Sequence, residues 1–179
     1  MPYEYRKLSP EERKQIVEER KRRGYPLHQP PHPYQEGGSF LITVANYEHK
    51  PLMAAPERRT QIANLLQEGF RGIMAETFGW VVLPNHYHIL LSVKSFTDIP
   101  NVLKQIHGST SRLWNIEDSK TGRRQKWYRY YDKMIRSERQ LNQTINYIHF
   151  NPVKHGYVKD IYDWPWSSIL SYEESLGNH

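Results

Sequence analysis

The sequence of 179 residues contains no cysteine. Disulfide bonds and thiolate zinc sites are thereby excluded, so any metal ion must be held by histidine nitrogen and by oxygen ligands. Such ligands suit Mg²⁺ or Mn²⁺ better than structural zinc. The sequence also lacks an apolar run of about 18 residues, and residues 1–7 lack the apolar core of a signal peptide. We therefore expect a cytoplasmic protein with no membrane segment.

Acidic side chains are scarce between residues 120 and 160, where ten Lys and Arg stand against three Asp and Glu. This net charge of +7 exceeds that of the whole chain, which is +6. A polyanion such as nucleic acid is the natural partner of such a region, although basic loops also simply keep proteins soluble. The candidate DNA contacts are Arg123, Arg124, Lys126, Arg129, Lys154 and His155.

Proline is concentrated near the N-terminus, where four prolines fall within residues 26–33. This composition predicts a stiff, extended linker. Before it, a capping-box pattern that begins at Ser9 predicts a helix over residues 9–23. We expect residues 1–38 to form a helical arm with a Pro-rich linker, and residues 39–179 to form one domain with a C-terminal tail.

Hydrophobic periodicity predicts the order β-α-β-β-α-β-α in that domain. The predicted strands cover residues 39–45, 77–83, 86–93 and 127–135, and the predicted helices cover residues 56–71, 97–114 and 138–151. This order indicates an α+β fold in which helices pack mainly on one face of an antiparallel sheet.

His86 and His88 lie two apart on the third predicted strand, so both side chains project from the same face. The opposite face forms an unbroken apolar row that is expected to enter the core, namely Tyr87, Ile89, Leu91 and Val93. Two histidines placed in this way can hold one metal ion. An isolated His-x-His pair is more often an ordinary feature of a half-buried strand, however, so the pair needs a partner elsewhere in the chain.

The last predicted helix offers such a partner, because Tyr147 and Asn151 lie one turn apart beside its buried apolar stripe. By themselves these two residues are more typical of packing and of a terminal hydrogen bond than of catalysis. Pro152 is expected to end the helix directly after Asn151, since proline lacks an amide donor and restricts the residue before it.

A His-hydrophobic-His strand followed by a helix with a tyrosine and a polar residue at i+4 resembles the HUH single-tyrosine transposases, which cut and rejoin single-stranded DNA. Two further motifs are NYIHFNPVKHGYV at residues 146–158 and DWPWSS at residues 163–168. They are similar to those of the REP-associated tyrosine transposases, a domesticated bacterial branch. The resemblance covers residues 39–171.

The resemblance implies a ferredoxin-like fold of the HUH endonuclease type, with His86 and His88 as metal ligands, Asn151 as the third ligand and Tyr147 as the nucleophile. It implies Mg²⁺ or Mn²⁺ as the cofactor and single-stranded hairpin DNA, of the repetitive extragenic palindrome type, as the partner. The expected product is a 5′-phosphotyrosine bond with a free 3′-hydroxyl, which the same site can rejoin without ATP. Related insertion-sequence enzymes are dimers, whereas the domesticated branch favours a monomer.

Two alternatives remain open at the level of the sequence. The first is a sequence-specific single-stranded DNA-binding protein that has lost its cutting activity, although the presence of all four site residues argues against it. The second is a metal-dependent nuclease that uses activated water in place of Tyr147.

Overall fold

The computed structural model describes residues 36–122 and 124–171, together with five isolated positions nearer the N-terminus. The chain divides into two compact units, Met1–Gln35 and Glu36–His179, and the second contains the sheet. The predicted N-terminal helix and Pro-rich linker lie almost entirely outside the described residues. Our placement of the domain boundary after residue 38 stays a prediction.

Between residues 36 and 171 the elements follow the predicted order. The strands are β1 (Glu36–Ala45), β2 (Glu76–Val82), β3 (His86–Ser95) and β4 (Tyr131–Ile135). The α-helices are α1 (Pro56–Gly72), α2 (Asp98–Glu117) and α3 (Glu138–Lys154), and two short 3₁₀ helices cover Tyr47–His49 and Ile161–Asp163. No helix in this range combines the length and the apolar character that crossing a bilayer requires.

The four strands pair antiparallel in the order β2-β3-β1-β4. Strand β3 is therefore a central strand, and its first residues pair with the end of β1. Ala45 lies opposite His86, and Thr43 lies opposite His88. The predicted α+β fold, an antiparallel sheet with helices packed on it, is confirmed.

The two faces of the sheet carry separate apolar clusters. One face packs against α1 and α2, and the predicted apolar row of β3 is buried there, with at most 6% of any of its four residues exposed. On the other face, Leu41 and Leu90 pack with Ile145 and Ile148 of α3. Of the three α-helices described between residues 36 and 171, two thus lie on one face and α3 lies on the other, where it buries its own apolar stripe.

Helix α3 begins at a Ser137 cap, whose hydroxyl accepts a hydrogen bond from the Gln140 amide at 3.3 Å. The prediction that Pro152 ends this helix is wrong, since α3 continues to Lys154. A proline removes one amide donor, but the helical ladder resumes after it, and the His155 amide donates to the Asn151 carbonyl at 3.1 Å.

The last strand is shorter than predicted. Strand β4 begins at Tyr131, and the chain before it makes one isolated bridge, from Trp127 to Asn46. The side chain of Trp127 is buried and stacks on His107 of α2 with ring centroids 4.7 Å apart. Because the Trp127 side chain is buried against His107, the chain at Trp127 leaves the regular strand pairing, and Tyr128 lies outside β4.

The DWPWSS segment lies along the outer edge of β2. The Val82 amide donates to the Trp166 carbonyl at 2.9 Å, and the Ser168 amide donates to the Trp80 carbonyl at 3.0 Å. The Ser168 hydroxyl also lies 2.9 Å from Nε2 of His149 on α3. The segment thereby covers an edge strand and ties it to α3.

Candidate active site

His86 and His88 stand at the start of β3, on the face that α3 covers. Their ring centroids are 5.1 Å apart, and the ring planes are nearly perpendicular. His88 is buried, with 4% of its surface exposed, and His86 is half-buried. The two rings share one face, as the strand periodicity predicts, but they lie beneath a helix and not in open solvent.

Each histidine is held through its Nδ1 atom. Nδ1 of His86 lies 2.7 Å from Oδ1 of Asn85, and Nδ1 of His88 lies 2.8 Å from Oγ1 of Thr43. The Asn85 side chain is oriented by its own Nδ2, which donates to the His49 carbonyl at 3.3 Å. Asn85 therefore presents an oxygen to His86, so Nδ1 of His86 donates and its Nε2 carries the lone pair.

Burial keeps both imidazoles neutral. It lowers the pKa of His86 from 6.5 to about 4, against a smaller opposing effect of Asn151, whose Oδ1 would accept a hydrogen bond from Nε2 of the protonated ring. It lowers the pKa of His88 from 6.5 to about 3, assisted by the neighbouring charges of His86, His155 and Lys154. At pH 7 both rings are in the unprotonated state that metal binding requires.

Helix α3 brings the other two predicted site residues to the histidines. Asn151 is fully buried, and its Oδ1 lies 3.3 Å from Nε2 of His86. The ring of Tyr147, one turn earlier, meets the ring of His88 edge-on at a centroid distance of 5.4 Å. Tyr147 is 39% exposed, so its ring also faces solvent, from which a substrate can approach.

The polar atoms of the site fit a divalent cation. Nε2 of His88, an imidazole nitrogen that can bind a metal ion, is buried without a hydrogen-bond partner. Nε2 of His86 and Oδ1 of Asn151 face each other with lone pairs, which repel unless a cation neutralises them. Two imidazole nitrogens and one amide oxygen suit a cation whose other coordination positions take water or phosphate oxygen.

In the described part of the chain, the two histidines lack a third neighbour of the commonest metal-binding residue types that is placed to share a metal ion. Among the residues that the structure describes, no group of three or more His, Cys, Asp or Glu side chains is arranged to hold a metal ion. The oxygen that lies beside the two imidazoles is Oδ1 of Asn151, 3.3 Å from Nε2 of His86.

Comparison with known proteins gives the family. The sequence profile described as "Transposase IS200 like" matches residues 40–151, which is more than half of the chain. The chain belongs to the IS200-like transposase family. The REP-associated tyrosine transposase of Escherichia coli (strain K12) is 28% identical to this chain over 140 residues. The match covers 76% of this chain and 79% of the relative.

Two further similarities agree with the resemblance to REP-associated tyrosine transposases, which is confirmed. A putative REP-associated tyrosine transposase of Haemophilus influenzae is 30% identical over 103 residues, or 52% of this chain and 58% of the relative. A solved structure of a REP-associated tyrosine transposase bound to a REP hairpin has a TM-score of 0.63 at 24% identity, and the match covers 80% of this chain and 83% of that one. At this identity the structural likeness supports the shared fold.

Two of the predicted basic contacts of this transposase lie beside the four site residues. Nζ of Lys154 lies 5.1 Å from the centroid of the Tyr147 ring, and the ring of His155 lies 5.1 Å from that of His86. Both side chains are exposed. Lys154 places a positive charge at the open side of the site, and His155 places a ring that can form hydrogen bonds there.

The remaining predicted basic contacts differ in whether their side chains are exposed. Arg124 and Arg129 are exposed, as a phosphate contact requires, and Arg123 lies outside the described residues. The prediction for Lys126 is wrong, because only 6% of its surface is exposed and its Nζ pairs with Oδ2 of Asp118 at 2.8 Å. A cation buried in an ion pair is not available to DNA phosphate.

Sequence reasoning missed Thr43 and Asn85, the two residues that hold the histidine rings. Asn85 directly precedes His86 in the gap between the second and third predicted strands, where an asparagine is typical of a turn. Thr43 is the one polar residue in the apolar run from Phe40 to Val44, and that break in the pattern was the available signal. Only the strand register, which pairs Thr43 with His88, gives it a role.

Proposed function

We propose that this transposase cuts and rejoins single-stranded hairpin DNA, with Tyr147 as the nucleophile and Mg²⁺ or Mn²⁺ held by His86, His88 and Asn151. The observation that carries the proposal is the convergence of two neutral imidazoles, a buried amide oxygen and a partly exposed tyrosine in one place. Membership of a transposase family makes phosphodiester transfer the chemistry that fits this arrangement.

The nucleophilic step is a substitution at phosphorus. The bound cation would polarise the scissile phosphate and help to neutralise its charge. Oη of Tyr147 attacks phosphorus as the P–O3′ bond breaks, which leaves a 5′-phosphotyrosine bond and a free 3′-hydroxyl. The phenol proton leaves Tyr147, and a proton is taken up by the departing 3′-oxygen. Lys154 adds a positive charge beside the tyrosine, where negative charge accumulates on the phosphate.

Rejoining follows from the same intermediate. The phosphotyrosine bond keeps the energy of the phosphodiester bond, so a 3′-hydroxyl can attack it and release Tyr147 without ATP. His86 and His88 keep their positions throughout, because Asn85 and Thr43 hold their rings.

A single chain supplies every residue of the proposed site. Tyr147 and His88 of the same molecule are in ring contact, so no second subunit is needed to complete it. We therefore favour a monomer that works on DNA in the cytoplasm. Its DNA contacts are Arg124, Arg129, Lys154 and His155, and the hairpin itself is proposed from the resemblance to REP-associated enzymes.

A denaturing gel with an end-labelled hairpin oligonucleotide tests the proposal against its two rivals. A covalent protein–DNA adduct that requires Mg²⁺ or Mn²⁺ supports the tyrosine mechanism. Free nicked product without an adduct would favour the water-dependent nuclease. Binding without any cleavage would favour a DNA-binding protein that has lost its activity.

The choice of tyrosine is tested by Tyr147→Phe, which removes one oxygen and keeps the ring. We expect cleavage and adduct to vanish together, while hairpin affinity changes by less than a few-fold, because phosphate contacts carry binding. Tyr131→Phe is the matched control, since Tyr131 is also exposed but lies on β4. An adduct that persists in Tyr147→Phe, or that maps by peptide mass to residues 128–131, would overturn the assignment.

A further inference from the structure

Three aromatic side chains gather beside the candidate active site without belonging to it. Tyr47 and Tyr128 have ring centroids 5.2 Å apart, and His49 and Tyr128 have ring centroids 5.6 Å apart. Tyr128 is 37% exposed, and His49 is exposed as well. We refer to Tyr47, His49 and Tyr128 as the aromatic platform.

The aromatic platform is held rigidly from below. The Tyr47 amide donates to the Lys126 carbonyl at 2.8 Å, and the Tyr128 amide donates to the Ala45 carbonyl at 2.9 Å. Trp127, directly before Tyr128, is anchored in the core. Two segments distant in sequence are thus fixed together, so a ligand that stacks on the rings orders little that is not already ordered.

The backbone beneath the aromatic platform is in a conformation that side chains disfavour. Glu48 and His49 have φ angles of 55° and 51°, in the left-handed region. Residues with such φ angles are strained, and the conformation persists only where the surrounding contacts impose it. The Asn85 side chain supplies one such contact, because it binds the carbonyl of His49.

The same Asn85 side chain connects the aromatic platform to the active site. Its Nδ2 donates to the His49 carbonyl at 3.3 Å, and its Oδ1 accepts from Nδ1 of His86 at 2.7 Å. One residue therefore separates the aromatic platform from a proposed metal ligand.

We propose that the aromatic platform stacks an unpaired nucleobase of the single-stranded DNA adjacent to the scissile phosphate. This inference rests on the proposed function. Exposed rings stack on any base through its π face, and this suits a strand that has left the duplex. The charge is also suitable, because Arg129 follows Tyr128 and the carboxylate of Glu48 is paired with Lys50.

The test compares the hairpin affinities of Tyr128 variants by fluorescence anisotropy, in the Tyr147→Phe background so that no covalent adduct forms. Since stacking on an aromatic side chain contributes about 1–3 kcal/mol per base, Tyr128→Ala should raise Kd by about 5- to 150-fold. Tyr128→Phe keeps the ring and should stay within about twofold. Tyr131→Ala, a matched exposed tyrosine outside the aromatic platform, should also stay within about twofold.

An abasic scan of the unpaired nucleotides provides a second measurement. We expect one abasic position to weaken binding by the same factor as Tyr128→Ala, and the two changes together to weaken it no further. An unchanged Kd in Tyr128→Ala, or equal abasic effects with and without the ring, would overturn the inference. If Tyr128→Ala does not fold, quenching of 2-aminopurine at the scanned positions decides, and the absence of quenching at every position counts against stacking.

The adduct gel with the wild-type protein separates this inference from the proposed function. Adduct formation together with an affinity that ignores Tyr128 would overturn the aromatic platform and leave the proposed function standing. Stacking that depends on Tyr128 without any adduct would overturn the proposed function and leave the aromatic platform standing as a binding surface.

Discussion

The two faces of strand β3 differ in how well their buried polar atoms are satisfied. On the face toward α1 and α2, the hydroxyl of Tyr87 lies 2.8 Å from Nε2 of His107, and the rest of the row is apolar. On the face toward α3, His88 and Asn151 are buried with atoms that have no partner. An unsatisfied buried polar group costs about 1–3 kcal/mol, so this second face sacrifices stability where the first does not.

That difference indicates how one strand serves two purposes. The large apolar cluster on one face fixes the sheet, and the strand can then carry polar atoms on the other face that are arranged for a ligand. Substitutions on the two faces should therefore fail in different ways. Substitutions in the apolar row toward α1 and α2 should lower the free energy of unfolding, and substitutions of His86 or His88 should leave a folded protein that does not cleave DNA.

The largest effect is expected on the site face. His86→Ala or His88→Ala should abolish metal-dependent cleavage and adduct formation, because each removes a proposed metal ligand. The circular dichroism spectrum should stay that of the wild type, since neither residue belongs to an apolar cluster. Full cleavage by the double variant would rule out the metal assignment.

The converse experiment is Ile89→Ala, directly after His88 in sequence but on the opposite face of the strand. Ile89 is completely buried, and truncating such a residue costs about 2–5 kcal/mol of unfolding free energy. Chemical denaturation should register that loss. The molecules that remain folded should form adduct at the wild-type rate, and a selective loss of activity would mean that the two faces are coupled.

Much of this contrast was predictable from sequence. Strand periodicity placed Ile89 in the core and His86 and His88 together, because the alternation of side chains depends on local geometry alone. The roles of Thr43 and Lys126 were not predictable in the same way. Thr43 depends on the register between β1 and β3, and Lys126 depends on meeting Asp118 at the end of α2, and neither contact is written in local sequence.

A smaller effect is expected for Thr43→Val, which keeps the shape of the side chain and removes the hydroxyl beside Nδ1 of His88. Loss of such a supporting hydrogen bond typically weakens metal affinity by about 10- to 100-fold. Isothermal titration with Mn²⁺ in the absence of DNA measures it, and Thr43→Ser is the matched control that restores an oxygen. Equal Mn²⁺ affinity in all three proteins would show that Thr43 does not orient the histidine.

The pH dependence of stability should also reflect both faces. Burial lowers the pKa of His107 from 6.5 to about 4, so between these values the unfolded chain binds a proton that the folded chain does not. The contribution of neutral His107 to the free energy of unfolding is complete above about pH 6.5. It is lost as the pH falls toward 4, by up to about 1.4 kcal/mol per pH unit. The pKa values of His86 and His88 are also lowered, so these two residues likewise reduce the free energy of unfolding as the pH falls.

Replacing one histidine at a time assigns this dependence to a face. His107→Gln should reduce the slope of the unfolding free energy against pH on the acid side, because one histidine no longer titrates on unfolding. His88→Gln should reduce the same slope for the same reason. If neither variant changes this slope, these histidines do not stay neutral in the folded protein.

The smallest effect concerns charge, and it compares an exposed cation with a buried one. Arg124→Ala should flatten the plot of log binding constant against log salt concentration by about 0.7, the value for one phosphate of single-stranded DNA. Lys126→Ala should leave that slope unchanged and lower the melting temperature, because it strands the carboxylate of Asp118 beside Arg58 alone. A slope that changes in Lys126→Ala and not in Arg124→Ala would mean that the ion pair opens on DNA, and that burial in the free protein does not decide which cations reach the phosphates.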